Sequence, residues 1–123
     1  SVSILGATRR ANRATVDDHN VIRHALADKY PVLLAWCEQV AHAVDGTLGR
    51  VTLVRLRGGQ DVHAHVDYGE YYAYRNRYHL VVASDAGSLL YAGDEHVRMW
   101  PGELWWFNNK ALHWARNESE RWR

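Results

Sequence analysis

The spacing of apolar residues changes near Gly49. Before that glycine, the stretch "PVLLAWCEQVAHAVD" is apolar around most of a helical circumference, which is typical of a well-buried helix. Pro31 suits the first turn of such a helix, and Gly46 follows its last turn. The pattern therefore predicts a buried helix from Pro31 to about Gly46.

The chain upstream of that helix carries a weaker signal. Residues 1–16 mix small, polar and basic side chains without a sustained period, which predicts an irregular N-terminal segment. Asp17 or Asp18 can cap a helix that runs to about Lys29. We therefore expect residues 1–48 to form an irregular segment and supporting helices.

Beyond Gly49 the pattern is that of strands. Short runs rich in β-branched and aromatic residues are separated by Gly, Asn or Asp: "RVTLVRLR", "DVHAHVD", "RYHLVVAS", "SLLYAG", "HVRMW", "ELWWFN", "ALHWAR" and "ERWR". Such a series predicts a sandwich or a double-sheet jelly roll, with the helices on one outer face. The expected fold is mainly β with N-terminal helices, and residues 49–123 form its core.

Composition and charge narrow the class of protein. A length of 123 residues suits a single domain. The net charge of +1 offers no basic field for nucleic acid or an anionic membrane surface. Cys37 is the single cysteine, and no apolar run reaches the roughly 18 residues of a membrane span. We expect a cytoplasmic protein without nucleic-acid or membrane partners.

The stretch "DVHAHVD" contains the first candidate ligands. Side chains of a strand alternate between its faces, so His63, His65 and Asp67 are expected on one face and the intervening apolar residues on the other. Because exposed polar strands often carry His-x-Asp by chance, a metal site needs a third ligand. His113, which lies 48 residues beyond His65 and near the start of another predicted strand, is the candidate.

Two imidazoles and one carboxylate form the facial ligand set of non-haem Fe(II) oxygenases. Such a set leaves positions on the ion where a bidentate 2-oxo acid and dioxygen can bind. Arg123 lies ten residues after His113, and a turn at "RNES" would return it to pair with a second carboxylate of that acid. Arg77 and His79 share a strand face and could reach an anion in the same cavity.

Four motifs in this order resemble the aspartyl/asparaginyl β-hydroxylase family of iron- and 2-oxoglutarate-dependent dioxygenases, which includes bacterial proline hydroxylase relatives. The motifs are "VRLRGGQDVHAHVDYG", "RNRYHLVVAS", "WPGELWWFNN" and "HWARNESERWR". The resemblance covers about residues 51–123. It implies a double-stranded β-helix, also called a jelly roll or cupin-like fold, with iron between its sheets.

Carried over position by position, the resemblance implies that iron is bound by His65, Asp67 and His113. Some members of the family lack the carboxylate ligand, so the presence of Asp67 favours the full set of three. His63 receives no metal role from the resemblance. We expect it to be a surface residue or to support a ligand.

The resemblance also implies a pocket for the cosubstrate. Arg123 would pair with the distal carboxylate of 2-oxoglutarate, and Arg77 and His79 would line the pocket. Family members usually continue past this arginine with an apolar strand, whereas the sequence stops at Arg123. Either the sequence is truncated there or the barrel closes differently.

Two functions stay open at this point. The first is a dioxygenase that uses Fe(II), 2-oxoglutarate and dioxygen to hydroxylate a C–H bond of an amino-acid side chain, in a free amino acid, a peptide, or protein Asp or Asn. The second is a non-catalytic cupin-like module that binds a metal or another ligand, because fold alone does not determine activity. Arg123 favours the first, since a purely metal-binding module has no need of that cation.

Aromatic residues are expected mostly in structural roles. At least two of three tryptophans are expected in the core: Trp100, Trp105 and Trp106. The tyrosines after the ligand strand are expected in a loop that either packs or forms a mobile wall over the substrate: Tyr68, Tyr71, Tyr72 and Tyr74.

Overall fold

Antiparallel strand pairing accounts for most of the regular structure in the computed structural model, which describes residues 1–7 and 19–123. Within these residues there are nine strands and two α-helices, so the expectation of a mainly β protein is confirmed. No helix in this part of the chain is both long and apolar enough to cross a membrane. The chain divides into two units, Ser1–Val54 and Arg55–Arg123.

The first unit contains a three-stranded sheet and a helix. Its strands have the order β2-β1-β3 in the sheet. In chain order the elements are β1 (Val2–Gly6), β2 (Ile22–Arg23), a 3₁₀ helix (Ala25–Lys29), α1 (Pro31–Ala43) and β3 (Val51–Leu53).

The N-terminal residues are more regular than the sequence predicted. The expected irregular segment contains β1, in which Ile4 is completely buried. The expected helix up to Lys29 is wrong, because its described part holds β2 and the 3₁₀ helix. Pairing with β1 draws Ile22 and Arg23 into the sheet, and this long-range contact overrides a weak helical pattern. The proposed caps, Asp17 and Asp18, lie outside the described residues.

Helix α1 begins at Pro31 as predicted, but the expectation that it is well buried is wrong. Ala41 is its one buried residue, while Val32 is 69% exposed and Trp36 is 50% exposed. Apolar periodicity predicts which residues can be covered, whereas burial also requires another element to cover them. On α1 the apolar surface therefore remains largely accessible.

The second unit contains two antiparallel sheets, one of four strands in the order β4-β9-β6-β7 and one of two strands, β5-β8. Its elements in chain order are β4 (Asp61–His65), α2 (Glu70–Ala73), β5 (Arg77–Leu80), β6 (Ser88–Ala92), β7 (Glu95–Arg98), β8 (Leu104–Phe107) and β9 (His113–Asn117). Each lies in or overlaps a predicted run except α2, which falls in the tyrosine-rich stretch.

The last predicted run, "ERWR", forms no regular strand. Its final residue nevertheless makes a strand-like contact, because Arg123 and Leu56 exchange both backbone hydrogen bonds. The amide of Leu56 donates to Arg123 at 2.9 Å, and the amide of Arg123 donates to Leu56 at 3.0 Å. The end of the described chain is therefore tied to the residues just before β4.

The core of the second unit lies on the inner face of the four-stranded sheet. Its buried cluster consists of Leu90, Met99, Phe107 and Ala115. Trp105 packs against this cluster, but Trp100 is 45% exposed and Trp106 is 55% exposed. The prediction of two core tryptophans is therefore wrong. Neighbouring positions of β8 face opposite ways, so burying Trp105 and Phe107 turns Trp106 outward.

An irregularity in β4 decides where the first candidate ligand points. Val62 pairs with Ala115, but His65 pairs with His113, so the register shifts by one residue between these two pairs. Ala115 and His113 lie two apart and share the inner face of β9. The extra residue in β4 lets both Val62 and His65 approach that same face, which strict alternation would not allow.

Candidate metal centre

Three predicted ligands converge where β4 and β9 meet. His65 is the last residue of β4, Asp67 follows two residues later, and His113 is the first residue of β9. Asp67 Oδ1 lies 3.6 Å from His65 Nε2 and 3.7 Å from His113 Nε2. One potential ligand atom from each residue lies within 4.8 Å of the others, so the group could hold a metal ion.

Backbone carbonyls orient both imidazoles. His113 Nδ1 lies 2.9 Å from the carbonyl oxygen of Ala111, and His65 Nδ1 lies 2.7 Å from that of His63. Because a carbonyl can only accept, each Nδ1 carries the proton and donates it, and each Nε2 retains a free lone pair. Metal-binding histidines are commonly held in this way, with one ring nitrogen donating to a carbonyl and the other left for the metal.

The Nε2 atom of His113 indicates that the site is built for an additional partner. His113 is 3% exposed, and among the described residues its buried Nε2 has no hydrogen-bond partner. A buried polar atom without a partner normally costs about 1–3 kcal/mol. A metal ion bound to this lone pair would remove that cost.

The two oxygens of Asp67 have different surroundings. Oδ2 accepts hydrogen bonds from Arg77 Nη1 at 2.7 Å and from Asn109 Nδ2 at 3.1 Å. The backbone amide of Asp67 also donates to the carbonyl oxygen of Asn109 at 3.1 Å. The carboxylate is thus held by Oδ2, and Oδ1 is left facing the two imidazoles.

Burial and charge give the ligands the protonation states that a metal requires. Burial alone would raise the pKa of Asp67, but the hydrogen bond and charge of Arg77 and the hydrogen bond from Asn109 lower that pKa below its ordinary value. Burial also lowers the pKa of His113. At neutral pH the carboxylate is therefore ionised and the His113 imidazole is neutral, which are the metal-binding forms.

The site is open on one side. The side chains of Asp67 and His113 are 8% and 4% exposed, whereas that of His65 is 42% exposed. A small molecule could therefore approach the group from the side of His65. A catalytic metal site needs such an accessible position, while a purely structural site is closed.

His79 lies beside the proposed ligands as a neutral imidazole. Its ring packs 4.8 Å from the ring of Phe107, which in turn lies 5.1 Å from the ring of His113. Burial, followed by the positive charges of Arg77 and Arg123, lowers the pKa of His79 to about 3. His79 is therefore uncharged at neutral pH and can donate or accept a hydrogen bond.

Arg123 is partly buried near the same residues. Its Nη1 donates to Ser88 Oγ at 3.4 Å and to the carbonyl oxygen of Leu89 at 3.3 Å. Burial lowers the pKa of Arg123, and its charge in turn acts on His79. Neither of these two acceptors is a carboxylate, so the two hydrogen bonds do not neutralise the positive charge of the guanidinium.

Sequence reasoning missed Asn109. This residue is 1% exposed and supplies both a side-chain donor and a backbone acceptor to Asp67. The available signal was an Asn-Asn pair directly after a strongly apolar strand, because a buried amide there needs a specific partner. Sequence alone cannot identify that partner, since Asp67 lies 42 residues earlier.

The other residues singled out from the sequence lie outside the ligand group. The side chain of His63 is exposed, and its carbonyl oxygen supports His65. In the tyrosine-rich stretch, Tyr71 is 3% exposed within α2, while Tyr68 is 73% exposed and Tyr74 is 80% exposed. The stretch thus combines one packed tyrosine with two that reach into solvent.

Comparison with known proteins provides an independent indication of function. A family model described as aspartyl/asparaginyl beta-hydroxylase matches residues 13–123 of the chain. No curated protein and no solved structure shows significant similarity to it.

Proposed function

Because the chain belongs to the aspartyl/asparaginyl beta-hydroxylase family, a family of hydroxylases, we propose that it is an Fe(II)- and 2-oxoglutarate-dependent dioxygenase. Its reaction would hydroxylate a C–H bond in an amino-acid side chain, either in a free amino acid or in protein Asp or Asn. The observation that carries this proposal is the convergence of His65, Asp67 and His113 around a buried Nε2 atom that has no hydrogen-bond partner among the described residues.

The ligand set suits ferrous iron. His65 and His113 would each offer Nε2, and Asp67 would offer Oδ1, which together make the two-histidine, one-carboxylate set of non-haem Fe(II) oxygenases. When bound, Fe(II) would supply redox chemistry with dioxygen and 2-oxoglutarate that no side chain can supply. The protein's own residues would bind the reactants and orient them.

Three residues are proposed to bind 2-oxoglutarate. Arg123 would pair with the distal carboxylate, because its guanidinium is partly buried and the two groups that accept hydrogen bonds from it are uncharged. Neutral His79 would donate a hydrogen bond to the cosubstrate. Arg77 would line the same pocket while its Nη1 keeps the hydrogen bond to Asp67. Desolvation around these groups would strengthen their attraction to a bound dianion.

The strand order supports a jelly roll as the fold of the site. From β4 to β6 the chain alternates between the two sheets, forms a β6–β7 hairpin, and then crosses to β8 and back to β9. Antiparallel crossing of this kind is typical of double-stranded β-helices. As part of the proposal, residues 1–123 belong to one dioxygenase domain whose β-helix lies in the second unit. The sequence placed the start of this β-helix at residue 49, but β3 pairs with β1 in the first unit.

Spectroscopy and turnover test the proposal together. Anaerobic protein with Fe(II) and 2-oxoglutarate should show the weak metal-to-ligand absorption of the chelate, and in air a suitable substrate should stimulate succinate formation. Candidate substrates are free amino acids and peptides, including peptides that contain Asp or Asn. No absorption band together with tight Zn(II) binding would instead favour a non-catalytic metal-binding module.

Replacing one ligand at a time tests the assignment of the site. Asp67→Ala and His113→Ala should each abolish substrate-stimulated succinate formation, because either change leaves fewer protein ligands than the open facial site needs. His63→Ala is the matched control, since its side chain is exposed and outside the ligand group. Full turnover in either ligand variant would refute the assignment.

A further inference from the structure

One buried amide holds the segment that follows β9. Asn117 is 0% exposed, and its Nδ2 donates to the carbonyl oxygens of Leu56 at 3.0 Å and Arg121 at 2.7 Å. Its Oδ1 accepts from Ser119 Oγ at 2.7 Å and from the Ser119 amide at 3.2 Å. Both donors and both acceptor positions of this side chain are thus used, and they hold residues 118–121 in place and join them to Leu56.

The carbonyl oxygen of Leu56 links Asn117 to Arg123. It accepts from Asn117 Nδ2 at 3.0 Å and from the backbone amide of Arg123 at 3.0 Å. Leu56 also donates its own amide to the carbonyl oxygen of Arg123 at 2.9 Å. Because one acceptor serves both residues, a shift of the Asn117 amide changes the anchoring of Arg123.

Two glycines allow the segment to lie where it does. A Cβ atom on Gly58 would lie 2.5 Å from the carbonyl carbon of Glu120, and one on Gly87 would lie 2.6 Å from the amide nitrogen of Ser119. Both contacts are with backbone atoms, which cannot swing aside as a side chain can. The path from β9 to Arg123 is therefore constrained by close packing as well as by hydrogen bonds.

We propose that Asn117 is a positioning residue that holds Arg123 in place to bind the distal carboxylate of 2-oxoglutarate. The proposal rests on the proposed function and goes beyond it, because it explains how Arg123 returns to the site ten residues after the strand of His113 has begun. The amide, the shared Leu56 carbonyl and the glycine contacts determine the backbone position of Arg123. Its guanidinium then reaches Ser88 and Leu89.

A positioning role predicts a selective defect. Asn117→Ala removes all four side-chain hydrogen bonds that anchor the segment, so the Kd for 2-oxoglutarate should rise by about tenfold. The Kd for Mn(II) alone should stay unchanged, because the side-chain hydrogen bonds of Asn117 go to Leu56, Ser119 and Arg121 and to none of the three proposed ligands. In turnover, the KM for 2-oxoglutarate should rise while kcat changes little.

Asn117→Asp separates the donor role from the acceptor role. It retains an oxygen that can accept from Ser119, but it replaces the donor to Leu56 and Arg121 by a second acceptor. This variant should bind 2-oxoglutarate no better than Asn117→Ala does. Ser119→Ala removes a hydroxyl that donates to Asn117 and exchanges hydrogen bonds with the backbone of Arg121. It leaves both donors of Asn117 in place and should have a smaller effect.

The test combines hydrogen exchange with binding. Exchange of the backbone amides of Leu56 and Arg123 should become faster in Asn117→Ala, and isothermal titration of Mn(II)-loaded protein with 2-oxoglutarate should show the weaker affinity. If Asn117→Ala does not fold, Gly87→Ala displaces the same segment by its added Cβ. Gly46→Ala is its control, because that Cβ would meet its nearest neighbour at an ordinary 3.6 Å.

Three results would overturn the positioning role. These are unchanged exchange of the two amides, faster exchange with unchanged affinity for 2-oxoglutarate, and equal losses of affinity for 2-oxoglutarate and Mn(II). A different result would refute the proposed function: the wild-type protein, loaded with Mn(II), would bind no 2-oxoglutarate. Exchange of the Leu56 and Arg123 amides would then still decide whether Asn117 holds Arg123 in place.

Discussion

At the scale of single residues, the two carboxylate oxygens of Asp67 have different roles in the candidate site. Arg77 and Asn109 occupy Oδ2 of Asp67, so Oδ1 is directed at the imidazoles. A carboxylate held in this way loses little further freedom when it binds a metal. Hydrogen bonds that orient a ligand typically change metal affinity by about 10–100-fold when they are removed.

Replacing the buried amide tests this effect. Asn109→Ala should weaken Mn(II) binding by about tenfold or more, because Asp67 loses one of the two side-chain donors that orient it. The affinity can be measured by titration with Mn(II). Asn76→Ala, at an exposed position, is a matched control and should bind Mn(II) as the wild type does. Equal affinities in both variants would show that Asn109 does not orient the carboxylate.

At the scale of elements, β9 connects the site to the core. It lies between β4 and β6 in the four-stranded sheet, and its first residue, His113, pairs with His65 of β4 and Ala92 of β6. Two residues later, Ala115 packs with Leu90 of β6 in the buried cluster. The register of β9 against both neighbours therefore determines where the imidazole stands. Loss of packing beneath β9 should lower the free energy of unfolding of the second unit without changing the identity of any proposed ligand.

A large-to-small substitution in β6 measures that packing. Leu90 is 4% exposed, so Leu90→Ala should lower the free energy of unfolding by about 2–5 kcal/mol through lost burial and a residual cavity. Leu112→Ala removes the same atoms from a side chain that is 50% exposed, and should cost about 0.5 kcal/mol or less. Urea unfolding compares the two. Similar losses would mean that Leu90 does not support the sheet as described.

At the scale of the whole molecule, buried neutral histidines make stability depend on pH. The pKa of His79 falls from an ordinary 6.5 to about 3 in the folded protein. Below pH 6.5 the unfolded chain takes up a proton that folded His79 does not, so stability is lost as the pH falls from 6.5 towards 3. The pKa of His113 is also lowered, and it acts in the same direction.

Metal-free protein should therefore lose stability between pH 6.5 and pH 4.5, at up to about 1.4 kcal/mol per pH unit from His79 and by a further amount from His113. His79→Gln should flatten this dependence, because it removes one of the two groups. His96→Gln is the control at an exposed position. Urea unfolding at several pH values measures the slope, and an unchanged slope in His79→Gln would contradict the burial of a neutral imidazole.

The sequence by itself determined the mainly β character and the identity of the three residues that converge. Strand periodicity and turn residues are local properties, so they predicted runs that overlap β3 to β9. The spacing of His65 and Asp67, with His113 near the start of another predicted strand, likewise follows from residue order alone, although β4 ends at His65 and Asp67 lies just beyond it. The family could also be named from ordered motifs without any coordinates.

Only the tertiary structure decided what depends on contacts between distant segments. It placed an extra residue in β4 so that His65 meets His113, and it buried Asn109 against a carboxylate 42 residues away. It left much of α1 accessible although its sequence is apolar. The register of two strands, the partner of a buried polar group and the burial of a helix face each depend on two elements at once. The pattern along a single segment does not say which element it will meet.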